Sequence, residues 1–221
     1  MTTPAGSTTT LSEHDSKALL ARHGVPLLPE RTATDADTAA EAALELGFPV
    51  VAKLGGDRIA HKTERGLVRL ALDDADAVRA AASELLAAAT PDDGEVHVLV
   101  APMVKGNREL IAGLSEDPQF GMTVMVGVGG ILAEAVADVA IRLVPIERVD
   151  ALEMLEELST QRLLGEFRGE PAVDREKVAD VLLGLSRAAE AEPTLVSADL
   201  NPLIVVDGAP VAVDALVEVR S

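Results

Sequence analysis

The sequence predicts an α+β fold, in which a cluster of short strands is flanked at several points by helices. Apolar residues run or alternate over short stretches typical of strands, at residues 48–54, 66–72, 96–104, 109–113 and 122–128. Other stretches are rich in Ala and Glu or repeat apolar residues at helical spacing, at residues 12–23, 35–46 and 73–86. Because several strands follow one another without a helix between them, an α+β protein is favoured over a regular βαβ winding.

Capping and glycine signals mark the ends of the first elements. The composition of residues 1–10 predicts a disordered tail, and it lacks the basic start and apolar stretch of a signal peptide. Ser12 with Asp15 resembles a helix-start capping pair, and Gly24 is a helix stop. Gly47 ends the second predicted helix just before the strand at residues 48–54.

A boundary between two lobes is predicted near residues 101–106, where Pro102 and Gly106 interrupt the strands. We expect lobe one at about 11–100 and lobe two at about 101–221, with a cleft between them. Short polar links predict that the successive strands from residue 96 to residue 128 are antiparallel neighbours. The later patterns predict a strand around 141–144, helices near 147–158 and 174–190, a strand near 194–199 and a closing hairpin.

The closing hairpin carries a candidate metal-binding pair. Asp207-Gly208 lies between two apolar runs, which is a strong signal for a two-residue turn. Such a turn places Asn201 opposite Asp214, with Cβ atoms roughly 4.5–5.5 Å apart, and Asp199 on the same face as Asn201. An amide oxygen and a carboxylate at that separation suit Mg²⁺. Pro210 and a possible three-residue loop leave open a shifted register, and the alternative is a surface hairpin with ordinary polar side chains.

Composition narrows the classes of partner. The formal net charge is −18 and would repel a nucleic-acid backbone, so no nucleic-acid partner is expected. No run of about 18 apolar residues occurs, which predicts no membrane span. The chain has no Cys, so disulfides and thiolate chemistry are excluded and a cytoplasmic location is expected. With three Phe and no Trp or Tyr, an adenine pocket would be built mostly from aliphatic side chains.

Three further groups carry chemistry, and each has an ordinary structural alternative. Lys53 ends a strand and can deliver its ammonium into a cleft, although a strand-end lysine is commonly only a solvated charge. The polar loop containing His61 can fold over phosphates and offer an imidazole, although a loop histidine is usually just solvated. Glu109, a few residues beyond the strand that ends at Val104, can accept bonds from ribose hydroxyls or be an exposed strand residue.

Taken together, ordered segments over nearly the whole chain after residue 10 resemble one family. This family is the ATP-grasp β subunit of ADP-forming acyl-CoA (acetyl-CoA) synthetases, relatives of succinyl-CoA synthetase. The segments that carry the resemblance are Gly47–Lys53, His61-Lys62-Thr, Met103-Val, Glu109–Gly113, Asp117–Gly121, Gly127–Gly130 with Glu134, Arg142–Ile146, Asp199–Leu203 and Val213–Ala215.

The resemblance implies a fold and a set of site residues. Two α+β lobes are expected to clasp ATP or ADP between them. Lys53 and Lys62 are implied near the phosphates and Glu109 at the ribose. The adenine is implied at Ala101, Pro102, Met103 and Val104. Asn201 and Asp214 are implied to hold Mg²⁺, in agreement with the hairpin register.

The resemblance also implies a reaction and a partner. His61 resembles the family's phosphohistidine, which relays phosphate between the nucleotide and a second histidine on a CoA-binding α subunit. A neutral imidazole can take the γ-phosphoryl group and give it up again. We find no dinucleotide-type CoA-binding domain in this chain. It is therefore expected to be the nucleotide-binding subunit of an acyl-CoA ligase that is active only with its partner.

One departure from the family pattern keeps two alternatives open. The family usually has two glycines where this chain has Gly66-Leu67, so the backbone after the His61 loop is less free to approach a ligand. One alternative is a regulatory subunit that binds nucleotide with reduced catalysis. The other is a stand-alone ATP-grasp carboxylate ligase that joins an acyl phosphate to an amine, and His61-Lys62 weighs against it.

Overall fold

The structure is a computed structural model that describes residues 7–56, 59, 65–130 and 137–220. It divides into two compact units. The larger unit comprises Met1–Leu27 and Lys105–Ser221, and the smaller unit comprises Leu28–Val104.

The helices and strands confirm the predicted α+β class. In chain order they are β1 (Thr8–Thr10), α1 (Glu13–Arg22), β2 (Arg31–Ala33), α2 (Ala36–Leu46), β3 (Val50–Gly56), β4 (Val68–Leu72), α3 (Ala75–Ala87), β5 (Val96–Pro102), β6 (Glu109–Asp117), β7 (Gly121–Val128), β8 (Val139–Leu143), α4 (Arg148–Glu157), α5 (Gln161–Leu164), α6 (Arg175–Ala191), β9 (Leu195–Val206), β10 (Ala209–Ala212) and β11 (Leu216–Arg220). Within the part of the chain that the structure describes, no helix is long and apolar enough to cross a membrane.

The smaller unit is a four-stranded antiparallel sheet in the order β2-β5-β3-β4. Asp35 and Asp74 cap α2 and α3, because each side chain accepts backbone N–H groups of the first turn. The two helices cover one face of the sheet and bury Ala52, Leu54 and Val98. Side chains alternate along a strand, so Lys53 lies on the other face.

The larger unit contains a seven-stranded sheet in the order β1-β11-β9-β6-β7-β8, with β10 also paired to β9. All its pairs are antiparallel. Residues of α1, α4 and α6 pack on one face in a single apolar core with Leu110, Ala112 and Val126. We call the opposite side the open face, and by alternation it carries Glu109 and Ile111.

Three expectations about chain organisation are corrected. Thr8–Thr10 form a strand on β11, so the disordered tail does not extend to these residues. Helix α1 packs in the core of the larger unit through Leu19 and Leu20, so the smaller unit begins at Leu28 and not at residue 11. The strands β5 and β6 are sequential but lie in different sheets, because the chain passes from one unit to the other after Val104.

Candidate functional site

The closing hairpin has the predicted two-residue turn. Asp207 and Gly208 both have positive φ, at 48° and 83°, as a tight hairpin turn of the primed type requires. The strands pair Val206 with Ala209 and Leu203 with Ala212, which is the register expected from the sequence. A Cβ at Gly208 would lie 2.7 Å from the carbonyl oxygen of Ala172, so both backbone conformation and space favour glycine there.

The β9–β10 pairing continues towards the candidate metal pair, Asn201 and Asp214. Beyond β10, the N–H of Val213 donates to the carbonyl oxygen of Pro202 at 3.3 Å, one pair past the end of the strand. The next positions are Asn201 and Asp214, which the sequence placed opposite each other. Asn201 is exposed and Asp214 is half-buried, so both lie where a solvated ligand has access.

Asp199 lies on the open face with Asn201, as strand alternation predicted. Between them Leu200 is buried, and a register irregularity opposite β6 follows before Leu203 returns to the core. Desolvation by the surrounding protein, and then the negative charge of Asp214, raise the pKa of the Asp199 carboxyl above its usual range, although the residue remains in contact with solvent. The mutual repulsion of the Asp199 and Asp214 carboxylates favours a cation beside them.

The donor set fits Mg²⁺ but does not enclose it. Carboxylate and amide oxygens are its ordinary protein ligands, and Mg²⁺ usually keeps several positions for water and phosphate. Over the described ranges, no group of three or more His, Asp or Glu side chains converges as a metal site by itself. Asn201 and Asp214 therefore suit a metal whose other ligands come from a bound phosphate and from water.

Glu109 belongs to the same sheet face. It is the first residue of β6 and pairs with Ile204 of β9, three residues along that strand from Asn201, or roughly 10 Å. Its carbonyl oxygen accepts the N–H of Gly129 at 2.8 Å, and a Cβ on Gly129 would be 3.2 Å from its own Cβ. Glycine at position 129 allows the backbone after β7 to pack closely against Glu109.

The other predicted contacts lie in the smaller unit. Lys53 is on the central strand β3, between Leu99 of β5 and Val68 of β4. The proposed adenine segment leaves β5 at Ala101-Pro102 and continues through Met103 and Val104. The N–H of Met103 donates to the carbonyl oxygen of Pro49 at 2.9 Å and so is already used within the protein. Any adenine edge must be met by other groups of this segment.

His61 and Lys62 lie outside the residues that the structure describes. The residues just after them show what Leu67 does. Its side chain is 2% exposed and belongs to the core of the smaller unit, and its carbonyl oxygen accepts the N–H of Leu54 at 3.0 Å. The leucine is therefore a core residue, which gives the Gly66-Leu67 departure a packing explanation.

Two buried polar residues, Asp93 and Arg108, were missed by sequence reasoning. Arg108 is 4% exposed and donates to Glu170 and to the carbonyl oxygens of Gly165 and Pro171. Asp93 accepts hydrogen bonds from Nη1 and Nη2 of Arg65 at 2.7 and 2.9 Å. The partners are 28 to 63 residues away in sequence, so no local pattern signals these contacts.

The fold is that of a two-unit α+β protein, and its closing hairpin carries Asn201 and Asp214, the candidate ligands of a phosphate-bound metal. A family comparison matches residues 3–219 to the ATP-grasp domain. The β subunit of acetate–CoA ligase (ADP-forming) II from Pyrococcus furiosus is 36% identical over 201 residues, which cover 89% of this chain and 85% of that subunit. The chain therefore belongs to the ATP-grasp family, in the group that includes β subunits of ADP-forming acetate–CoA ligases.

Solved structures agree with this assignment. Acetyl-coenzyme A synthetase 1 of Candidatus Korarchaeum cryptofilum, solved with coenzyme A and Ca-AMPCP, has a TM-score of 0.88 and 33% identity over 96% of this chain and 94% of that chain. A second structure of that enzyme holds coenzyme A and Mg-AMPPCP, with its phosphohistidine segment pointing towards the nucleotide binding site. It has a TM-score of 0.84 and 34% identity, over 96% of this chain and 93% of that chain.

Proposed function

We propose that this chain is the nucleotide-binding subunit of an ADP-forming acyl-CoA synthetase. The reaction is acyl-CoA + ADP + phosphate ⇌ carboxylic acid + CoA + ATP, carried out with a CoA-binding α subunit in the cytoplasm. The observation that supports it most is the match to ATP-grasp ligase subunits over nearly the whole chain, together with a hairpin register that continues to Pro202 and Val213, the neighbours of Asn201 and Asp214. The net charge of −18 is compatible with a single bound nucleotide, whose phosphates need only a local set of cations.

Each predicted site residue has a role in this proposal. The segment Ala101-Pro102-Met103-Val104 meets the adenine, and Glu109 accepts hydrogen bonds from the ribose hydroxyls. Lys53 and Lys62 neutralise phosphate charge. Asn201 and Asp214 hold Mg²⁺, which supplies further positive charge at the phosphates when it is bound.

His61 is the proposed covalent relay. A neutral imidazole nitrogen attacks the γ-phosphorus of ATP; a nitrogen–phosphorus bond forms as the bond from phosphorus to the ADP oxygen breaks. The phosphoryl group then passes to the partner subunit, and the imidazole is regenerated. In the direction of ATP synthesis the same bonds form and break in reverse.

The test is phosphoryl labelling of the purified chain with γ-³²P-ATP and Mg²⁺. The label should be acid-labile and base-stable, as a phosphoramidate is. His61→Ala should abolish it while nucleotide binding persists, because the imidazole acts on the γ-phosphoryl group alone. His14→Ala is the matched control, since His14 is an exposed histidine on α1 and should leave the label intact.

Other outcomes assign other functions. Full turnover of the His61→Ala variant with its partner would exclude the relay. An acyl phosphate formed by the isolated chain would favour a stand-alone carboxylate ligase. Nucleotide binding without label or turnover would favour a regulatory subunit.

A further inference from the structure

Helix α1 buries three polar residues along one face. Glu13, Ser16 and Lys17 are 6%, 0% and 4% exposed. Their spacing of three and four residues places them on one side of the helix. A buried lysine or glutamate is costly unless it is paired, so the contacts of these side chains need an explanation.

Their contacts lead to the segment between β10 and β11. The Lys17 ammonium donates to Glu13 Oε1 at 2.9 Å and to the carbonyl oxygen of Val213 at 3.1 Å. Ser16 Oγ accepts the backbone N–H of Val217 at 3.0 Å. The N–H of Leu11, just before the helix, donates to the carbonyl oxygen of Val217 at 2.9 Å.

This segment carries Asp214. Residues 213–215 lie outside the strands, and the β9–β10 pairing reaches only as far as the Val213–Pro202 bond. Asp214 Oδ1 accepts the N–H of Ala215, which is a local contact within the same segment. The first half of α1 therefore holds the backbone on both sides of Asp214, through Lys17 before it and Ser16 after it.

Folding stability alone does not explain why a charged side chain occupies the buried position 17. A buried ion pair is often no more stabilising than apolar side chains of similar volume. An apolar residue at position 17 would have no donor for the Val213 carbonyl. It would therefore leave the backbone before Asp214 less constrained.

We propose that Ser16 and Lys17 are positioning residues that hold Asp214 where it ligates the nucleotide-bound metal. This inference rests on the metal role of Asp214 in the proposed function.

The first experiment compares two serine variants that lose the same kind of bond. Ser16→Ala removes the acceptor for Val217 N–H, and Ser186→Ala removes the acceptor for Ile146 N–H at 3.1 Å in the same unit. Both serines are buried. The readout is the Mg²⁺ enhancement, which is the Kd for ADP in EDTA divided by the Kd in saturating Mg²⁺, from calorimetry.

Ser16→Ala should lower the Mg²⁺ enhancement by about three- to tenfold, the worth of one lost hydrogen bond. Its affinity for ADP in EDTA should stay the same. Ser186→Ala should lower the unfolding temperature without changing the enhancement, because Ser186 accepts from Ile146 and not from the segment that carries Asp214. Equal enhancement in the two variants and the wild type would overturn the role of Ser16.

The second experiment isolates the Lys17 donor. Glu13→Gln keeps an acceptor for Lys17 and should retain the enhancement. The double variant Glu13→Gln with Lys17→Met avoids an unpaired buried carboxylate and should lower the enhancement by a similar three- to tenfold. Normal enhancement in the double variant would overturn the role of Lys17. If that variant does not fold, the serine comparison decides the proposal by itself.

Asp214→Asn separates this inference from the proposed function. If Asp214→Asn reduces the enhancement and the Ser16 and Lys17 variants do not, Asp214 is a ligand that needs no support from α1. If Asp214→Asn leaves the enhancement unchanged, the metal assignment itself fails, and the positioning role falls with it.

Discussion

The backbone N–H of Val213 bonds to the carbonyl oxygen of Pro202, and this contact extends the β9–β10 pairing past the last residue of β10. The bond matters because the next residues along the two segments are Asn201 and Asp214. A hairpin turn at Asp207-Gly208 thus sets a register that leads to two metal-binding candidates, each six residues from the turn.

Replacing either member of this pair should weaken Mg²⁺-dependent nucleotide binding. Asn201→Ala and Asp214→Ala each remove one oxygen ligand, and we expect at least the roughly tenfold loss that even outer-shell changes cost at metal sites. Calorimetry with Mg-ADP measures it. Asp207→Asn is the control, since it removes a carboxylate from the same hairpin yet suits the turn. Unchanged affinity in both alanine variants would remove the metal assignment.

The turn itself should depend on glycine at position 208. Gly208→Ala places a side chain at φ +83° and against the Ala172 carbonyl, whereas Gly169→Ala has the same φ with no atom within 4 Å. The conformational cost shared by both is about 1–2 kcal/mol. Urea unfolding should show a larger loss of unfolding free energy for Gly208→Ala. Equal losses would mean that the hairpin moves away from Ala172 without cost.

Leu67 should behave as a core residue. Leu67→Ala should lower the free energy of unfolding by about 2–5 kcal/mol, as large-to-small core substitutions do. Leu70→Ala is the control on the adjacent strand, because Leu70 is 61% exposed, and it should cost less than about 1 kcal/mol. A Leu67→Ala variant with wild-type stability and raised catalytic activity would instead show that Leu67 limits the site.

The Arg65–Asp93 pair should stabilise the fold in a pH-dependent way. Hydrogen bonds from Arg65 hold the pKa of the Asp93 carboxyl well below its ordinary value of 3.8. A carboxyl whose pKa is lowered in the folded state contributes its full stabilisation at pH values above its unfolded-state pKa. This stabilisation is lost as the pH falls from the unfolded-state pKa through the folded-state pKa.

Asp93→Asn tests this dependence. It should destabilise the protein at pH 7 and pH 5 by similar amounts, and by less below about pH 3.8. Urea unfolding at several pH values measures the difference. Asp92→Asn is the control, because Asp92 is the exposed neighbour of Asp93, and it should not destabilise the protein in this pH-dependent way. A destabilisation at pH 2 as large as that at pH 7 would contradict the ion-pair explanation.

Catalysis should require a second subunit. The purified chain is expected to bind ATP but to make no acyl-CoA from acetate, CoA and ATP. Adding a CoA-binding subunit of an ADP-forming synthetase should restore synthesis. Thioester formation can be followed directly by chromatography. Acyl-CoA made by the isolated chain would contradict the division of labour between subunits.

Local signals predicted most of the individual elements. Ser12, Asp35 and Asp74 cap helices because their side chains reach N–H groups two or three residues away. The Asp207-Gly208 turn needs only its own backbone conformation. Short strands such as Thr8–Thr10 and Leu216–Arg220 were not predicted, because each is defined by its partner and carries little pattern of its own.

The sequence by itself determined the α+β class and the register of the closing hairpin, because each depends on neighbours within a few residues or on one tight turn. Only the tertiary structure decided that α1 joins the larger unit, that Leu67 is a core residue and that Ser16 and Lys17 reach the segment of Asp214. The Lys17–Val213 contact spans 196 residues. Such contacts arise from how the whole chain packs its apolar surfaces, and no local pattern of residues encodes them.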